Sequence, residues 1–337
     1  MKSVHIGIIG FGTVGKGVYN LLAKNASLIE KRSGISIKIK KICDLDTAMV
    51  TSYAKEIEVT DSWQEVVKDK EIDIIIELIG GINPAKEIVL EAMKNQKSVV
   101  TANKKLLAES GMEIFELANS SSAKLGFEAS VAGGIPCIDS LKNGLVGNRI
   151  KSVIGILNGT TNYILTKMTE SPEPFDKVLK TAQDLGFAEA DPTFDIEGFD
   201  AGHKIALLSM IAYNKSVDFS SISIEGITKI DAIDISFAKD MGYIIKLLGI
   251  SKEIDGTLDI RVHPTMLPEK HPLAAVNDEF NAVMFDGDMT DPILLYGKGA
   301  GSYPTASAVV SDIVDIAIKE SIEEQSITLL EKSEYVT

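Results

Sequence analysis

Val4-His-Ile-Gly-Ile-Ile-Gly10-Phe-Gly12-Thr-Val-Gly15 stands near the start of the chain. Its first half is rich in branched aliphatic residues, the pattern of a strand buried on both faces. Its second half spaces glycines as Gly-x-Gly-x-x-Gly, and Val14, Val18, Leu21 and Leu22 then fall on one helical face. That spacing is a weak signal alone and a specific one between a strand and a helix. Gly10 makes the tight turn, Gly12 lets backbone N–H groups approach a pyrophosphate, and Gly15 lets the helix pack closely. The helix N-terminus adds partial positive charge for the phosphates. Phe11, Thr13 and Val14 complete the expected dinucleotide loop.

Working outward, Ile35 to Cys43 is a second strand ending at Asp44, the position that holds a ribose hydroxyl pair in such sheets. Asp46 is the nearby competitor. Asp44 would repel a 2′-phosphate, while Lys40, Lys41 and Lys55 are close enough in sequence to offset it. NAD use with tolerance of NADP is therefore expected. Ile72 to Ile79 is a further strand with Gly80 and Gly81 at its carboxyl end, Pro84 opens a helix over 86–94, and Lys97 to Lys104 is another strand. Ligands lie outside the carboxyl ends of parallel strands, so Gly80, Thr101 and Lys104 should face one crevice. A short strand at 124–128 and a helix to about residue 145 complete a Rossmann-type doubly wound parallel sheet of an α/β protein.

Beyond Arg149 the pattern changes. A strand begins at Val153, helices follow over 163–168 and 176–185, and segments 258–262, 280–286 and 293–296 alternate like an antiparallel sheet. Gly301, in a glycine-rich run assigned to the cofactor site, precedes a helix over 306–319 that should return to the first sheet. The expected division is a dinucleotide-binding domain over 1–148, completed by 304–337, and a mixed α/β substrate-binding and dimerisation domain over 149–303.

Chemistry is expected in Leu185 to Lys204, where Glu189, Asp191, Asp195, Glu197 and Asp200 cluster around Pro and Gly breakers. Ile205, Leu208 and Ile211 then repeat at helical spacing, so Asp200 falls near a helix N-terminus with Lys204 one turn on. Alone, this is an ordinary helix salt bridge. Five acids beside one lysine suit a cleft that binds an ammonium and protonates an oxygen. If Lys204 lies in an open cleft, replacing it should cost little stability.

Composition bounds the rest. A formal charge of −14 is a poor match to a nucleic-acid backbone. Cys43 and Cys137 read as reduced core residues of a cytoplasmic protein, and neither a signal peptide nor a membrane span is expected. His203, His263 and His271 show no metal spacing, and the last two, each before a proline, read as loop residues.

Gly186-Phe-Ala-Glu-Ala-Asp-Pro-Thr193, with Asp195, Gly198, Asp200 and Lys204 at matching spacing, resembles the signature segment of homoserine dehydrogenases. Gly10 to Gly15, Thr101-Ala-Asn-Lys104, Glu128 to Pro136 and Gly155 to Tyr163 agree with the same family. The resemblance implies NAD(P)H-dependent, reversible reduction of L-aspartate 4-semialdehyde to L-homoserine by a homodimer. It implies that Glu189, Asp195 and Asp200 bind substrate together with Lys104, and that Lys204 and Lys104 are catalytic, with Asp200 beside them. It also implies a monovalent cation, usually sodium, on Glu128 and the backbone of Val131, Gly133 and Ile135. The chain leaves no room for the regulatory ACT module of longer members, so weak or absent threonine inhibition is expected. The rivals are another amino-acid dehydrogenase, of aspartate or saccharopine type, and a non-catalytic dinucleotide sensor.

Overall fold

The computed structural model describes residues 2–171 and 173–319, and among these two six-stranded sheets carry the architecture. The first runs β3-β2-β1-β4-β5-β6, wholly parallel, from β1 (Lys2–Ile9), β2 (Ile35–Cys43), β3 (Glu58–Thr60), β4 (Ile74–Glu77), β5 (Ser98–Thr101) and β6 (Leu125–Gly126). Its connections are α1 (Thr13–Ser33), α2 (Thr47–Tyr53), α3 (Trp63–Lys68), α4 (Ala85–Lys94) and α5 (Lys104–Ser120). Strand order reverses between β1 and β4, which opens a crevice beyond their carboxyl ends. Both sheet faces are covered, which explains the unbroken aliphatic strands. Ile74 and Ile76 pack in one cluster with Val18 and Leu22 of α1, while Ile75 packs in another with Ile88 and Val89 of α4.

The second half passes through α6 (Cys137–Asp139), β7 (Ile150–Ile156), α7 (Gly159–Glu170), α8 (Phe175–Asp184), α9 (Thr193–Ile196) and α10 (Phe199–Tyr213). It continues with β8 (Ser223–Ile224), α11 (Ala232–Asp240), β9 (Tyr243–Ile254), β10 (Thr257–Pro268), β11 (Phe280–Gly287) and β12 (Asp291–Lys298). The sheet order is β12-β11-β7-β9-β10-β8, antiparallel except where β8 meets β10. α12 (Ser302–Lys319) then lies against α1, and a methyl group at Gly17 would come within 2.6 Å of the Ser302 carbonyl oxygen.

The sequence reading assigned nothing to β3, α2, α3, α5, β8 or α11, and its strand to Lys104 ends at Thr101. β9 was not anticipated, because its burial is continuous from Ile245 to Ser251 and carries no two-residue period. The signal that marks it is the turn Asp255-Gly256, both at positive φ, which joins Ile254 directly to its partner Thr257. His263 is not in a loop but in β10, opposite Leu248. The following Pro264 is tolerated because β8 pairs only with Arg261 and Val262, leaving that edge of β10 free beyond them. Cys43 and Cys137 are buried and unpaired, as expected. No helix among the described residues is long and apolar enough to cross a membrane.

Candidate active site

The loop after β1 has the shape its glycines require. Gly10 has φ +98°, and a methyl group there would meet the Leu78 carbonyl at 2.8 Å. A methyl on Gly15 would lie 2.4 Å from the Gly10 oxygen, whereas one on Gly12 would meet nothing within 4 Å. Gly12 caps α1 without a side-chain hydrogen bond, and the first turn holds no acid. Open space thus faces uncapped N–H groups, which suits a phosphate and leaves Thr13 and Val14 beside it. Phe11 contributes backbone, since its ring is buried edge-on to Tyr19 and Tyr53. Gly301, at φ +116°, precedes α12, and the Ser302 hydroxyl donates to the Thr13 carbonyl at 2.8 Å.

Asp44 stands at the edge of this loop. One carboxylate oxygen accepts from Phe11 N at 2.6 Å and the other from Asp46 N at 3.0 Å. Asp46 is engaged as the cap of α2, accepting from Met49 N. Lys40 and Lys41 do not offset Asp44 as expected. Lys40 pairs with Glu71, and Lys41 reaches Glu58 at 2.8 Å and Asp69 at 3.4 Å. Lys55 is exposed in the turn after α2. The β1–β2 register passes from Ile39 to Lys41 and skips Lys40, whose ammonium is taken by Glu71.

Gly80, at φ +72°, and Thr101 line the ends of β4 and β5, and Lys104 opens α5 just beyond Asn103, whose side chain caps that helix through Leu106 N. From there Lys104 crosses to the second half of the chain. Its Nζ lies 2.5 Å from Asp200 Oδ1, while Lys204 Nζ lies 2.6 Å from Asp200 Oδ2 and donates to the Leu157 carbonyl at 2.7 Å. Asn158 Nδ2 bridges the two aspartates, donating to Asp200 at 2.9 Å and Asp195 at 2.7 Å. Thr160 donates to the other Asp195 oxygen at 3.0 Å.

These contacts set the charges. Burial alone would raise the Asp200 carboxyl, but Lys204 and Lys104 outweigh it and hold the group well below the usual carboxylate range. For Lys204 burial wins, with Lys104 pushing the same way, and its pKa is lowered despite Asp200. For Lys104 burial is overcome by Asp200, with Asp195 and Glu189 adding, and its pKa is raised. Asp195 is raised by burial and by the neighbouring Asp200 charge. The open-cleft expectation for Lys204 is not met: its side chain is 9% exposed, against 32% for Lys104. Lys104 is the less buried of the two lysines, with the Phe194 ring 5.7 Å from its ammonium. His203, beside Lys204, reaches Glu109 of α5 at 2.9 Å and stacks on Phe219, so a second contact ties α10 to α5.

The acidic segment is thereby sorted. Asp195 and Asp200 point inward, Glu189 is exposed within electrostatic reach of Lys104, and Asp191 accepts from Thr193 N in its own turn. Glu197 is partly buried and makes no contact with the lysines.

Residues 10–128 match the family description "Homoserine dehydrogenase, NAD binding domain" and residues 136–314 match "Homoserine dehydrogenase". The chain belongs to the homoserine dehydrogenase family. The homoserine dehydrogenase of Neisseria gonorrhoeae is 50% identical over 317 residues, 94% of this chain and 73% of that protein. A crystal structure of homoserine dehydrogenase from Thiobacillus denitrificans superposes with a TM-score of 0.91 at 47% identity, covering 94% of this chain and 73% of that one. A hyperthermophilic archaeal homoserine dehydrogenase mutant in complex with NADPH gives 0.80 at 28% identity, covering 94% and 98%. Membership makes the chain an NAD(P)-dependent oxidoreductase interconverting L-aspartate 4-semialdehyde and L-homoserine. Among homoserine dehydrogenase features, the sequence reading assigned no role to Asn158 or Thr160, although both lie in a stretch that carried the resemblance. Asn158 links buried Asp200 to partly buried Asp195, partners 42 and 37 residues away that no local spacing announces.

Proposed function

We propose that hydride exchange between L-homoserine and L-aspartate 4-semialdehyde takes place where Lys104, Asp200 and Lys204 meet. The single observation that supports this is one buried carboxylate held between two lysines that come from opposite sides of the crevice. The nicotinamide, when bound, gives or takes the hydride. Lys104, the accessible ammonium, meets the carbonyl oxygen and supplies charge or a proton as it becomes alkoxide. Asp200 orients Lys104, and Lys204 fixes Asp200 from the buried side. Asp195 and Glu189 give the substrate ammonium its counter-charge.

The cofactor loop comprises Gly10, Phe11, Gly12, Thr13, Val14 and Gly15, with Asp44, Gly80, Thr101, Lys104 and Gly301 around it. NAD is preferred, because Asp44 is fixed at the loop and Lys40 and Lys41 are paired elsewhere. NADP is tolerated, an idea supported by the NADPH-bound archaeal relative. In the proposed division of labour, 1–148 with the chain from 304 hold cofactor and 149–303 hold substrate and form a homodimer; residues 320–337 of that division lie outside those described. Exposed Leu294 and Tyr296 on β12 support a partner there, and light scattering reads the mass directly, a monomer at micromolar concentration arguing against it.

Glu128 with the carbonyls of Val131, Gly133 and Ile135 offers hard oxygen donors suited to sodium. Both Glu128 oxygens already accept N–H groups, from Ile138 at 2.9 Å and Asp139 at 2.7 Å, so a cation would use their remaining lone pairs. A rise in melting temperature with sodium chloride, absent with choline chloride and in Glu128→Gln, is the expected result, and equal responses would count against the site.

The reaction is tested by nicotinamide absorbance with L-homoserine, with aspartate, with saccharopine and without substrate. Turnover with L-homoserine alone is expected. Preference for aspartate or saccharopine would favour the rival dehydrogenases, and cofactor binding without turnover would favour a sensor.

A further inference from the structure

Glu77 is fully buried at the end of β4 and takes no part in the chemistry above. Its Oε1 accepts from Ile79 N at 2.9 Å and from Gly80 N at 3.3 Å, and its Oε2 accepts from the Thr101 hydroxyl at 2.6 Å. The Thr101 oxygen in turn accepts from Asn103 N at 3.0 Å. Asn103 donates from Nδ2 to the Gly81 carbonyl at 2.6 Å and caps α5, accepting from Leu106 N at 3.1 Å. The hydrogen bonds therefore close a ring, from the Gly80–Gly81 turn through Glu77, Thr101 and Asn103 and back to Gly81. Lys104 is the first residue of the helix that this ring caps. Gly10 also packs directly on the Leu78 backbone, so the first glycine loop rests on the same turn.

We propose that Glu77 is a positioning residue that sets the cofactor-facing turn at Gly80 and the lysine at the start of α5 in register with each other. Only an acceptor can satisfy all three donors, Ile79 N, Gly80 N and the Thr101 hydroxyl, and a carboxylate has the lone pairs to do so from two oxygens. No lysine, arginine or histidine among the described residues pairs with it. Burial raises its carboxyl, and the surrounding neutral donors pull it back. An uncompensated acid in the core of a parallel sheet costs stability, so a Leu or Val would be the better residue if packing were the only demand. The ring joins β4 and β5 at the point where the cofactor and Lys104 must be placed together.

The proposal rests on the dinucleotide reading of this crevice, and the test separates the two. Glu77→Gln and Thr101→Val each remove one acceptor or donor from the ring at nearly constant shape. Amide exchange across 79–81 and 103–107, which needs no ligand, should accelerate in both segments for either variant. NADH affinity, read by titration, and kcat should each fall about tenfold, a loss of the size of one buried hydrogen bond. KM for homoserine should change less. Thr101→Ser, which keeps the hydroxyl, should lose less than Thr101→Val. The double variant should lose little more than the worse single one, because both break the same ring. If Glu77→Gln does not fold, the Thr101 pair still decides, since Val and Ser losing equally would overturn the proposal. Exchange confined to the mutated segment, or unchanged NADH affinity and kcat in folded variants, would also overturn it. A wild-type chain that binds no NADH yet shows the coupled exchange would leave the ring standing and remove the dinucleotide reading instead.

Discussion

Asp44 and Asp200 show what single carboxylates do in two different settings. Asp44 is partly exposed and held by two backbone N–H groups at 2.6 and 3.0 Å, so it stays where a ribose diol would be. Asp44→Ala should lower the ratio of kcat/KM for NAD over NADP roughly tenfold, the scale of one specific polar contact. An unchanged ratio would remove the role given to Asp44. Asp200 is buried between two ammonium groups, and its folded-state pKa lies below its unfolded value. Between those two values the unfolded chain binds more protons, so stability rises with pH there. Its contribution is present above about pH 4 and is lost as the pH falls below that value. Asp200→Asn should therefore cost about 3–5 kcal/mol at pH 7, as expected when one partner of a buried pair is removed. The deficit should narrow at pH 3 in thermal melts, and a constant deficit would contradict this. The glycine loop was legible because Gly10 and Gly15 answer steric demands that no other side chain meets, while Gly12 leaves the space above the loop open. Glu77 was not, because an acid inside an aliphatic strand carries no sign of its hydrogen-bond partners, which lie two, three and 24 residues away.

At the scale of elements, five of the six parallel strands were read and β3 was not, while the second sheet read only in part. Unbroken aliphatic strands alternating with helices specify their own topology through βαβ connections. α10 was also legible as a helix, although Ala201 to Ser209 are all buried, its faces being covered by α5 and by β7, β9 and β10. β9 failed to declare itself partly because Lys246 interrupts its apolar run. Lys246 is 1% exposed and donates to Val276 O at 2.6 Å, Asn162 Oδ1 at 3.0 Å and Asn277 Oδ1 at 3.3 Å. Burial pushes its pKa down to about 8 from 10.5, against the pull of Asp278 and Glu170. Below pH 8 both folded and unfolded chains carry this proton and the difference is constant. From pH 8 to 10.5 the unfolded chain binds more, so stability rises with pH. Relative to Lys246→Met, the wild type should gain about 3 kcal/mol across that window. Parallel stability curves for the two proteins between pH 7 and 10.5 would contradict the assignment.

At the scale of the whole molecule, the proposed centre lies where α5 of the first half meets α10 of the second. The first sheet brings the dinucleotide loop and Lys104 to one crevice, and α10, packed against α5, brings Asp200, His203 and Lys204 to the other wall. The Lys104–Asp200 and His203–Glu109 contacts fix α5 against α10, and in the proposed division of labour this would bring a substrate on the second half to a cofactor on the first. The sequence motifs named residues that the structure brings together from both sides, but not which lysine is the more exposed, because exposure depends on the packing of α10 against β7 and α5. The expectation of weak threonine inhibition bears on residues 320–337, which lie outside those described. The most direct measurement compares Lys104→Met and Lys204→Met for kcat with L-homoserine and for NADH affinity by titration. Each variant should lose roughly 10²–10⁴-fold in kcat, the range for a positioned acid or base. Lys204→Met should keep wild-type NADH affinity, and both variants should melt lower than wild type, since each leaves buried Asp200 with one ammonium, Lys204→Met the more because its own side chain is buried. Near-normal turnover by both variants, with the fold intact, would contradict a catalytic centre at Lys104, Asp200 and Lys204.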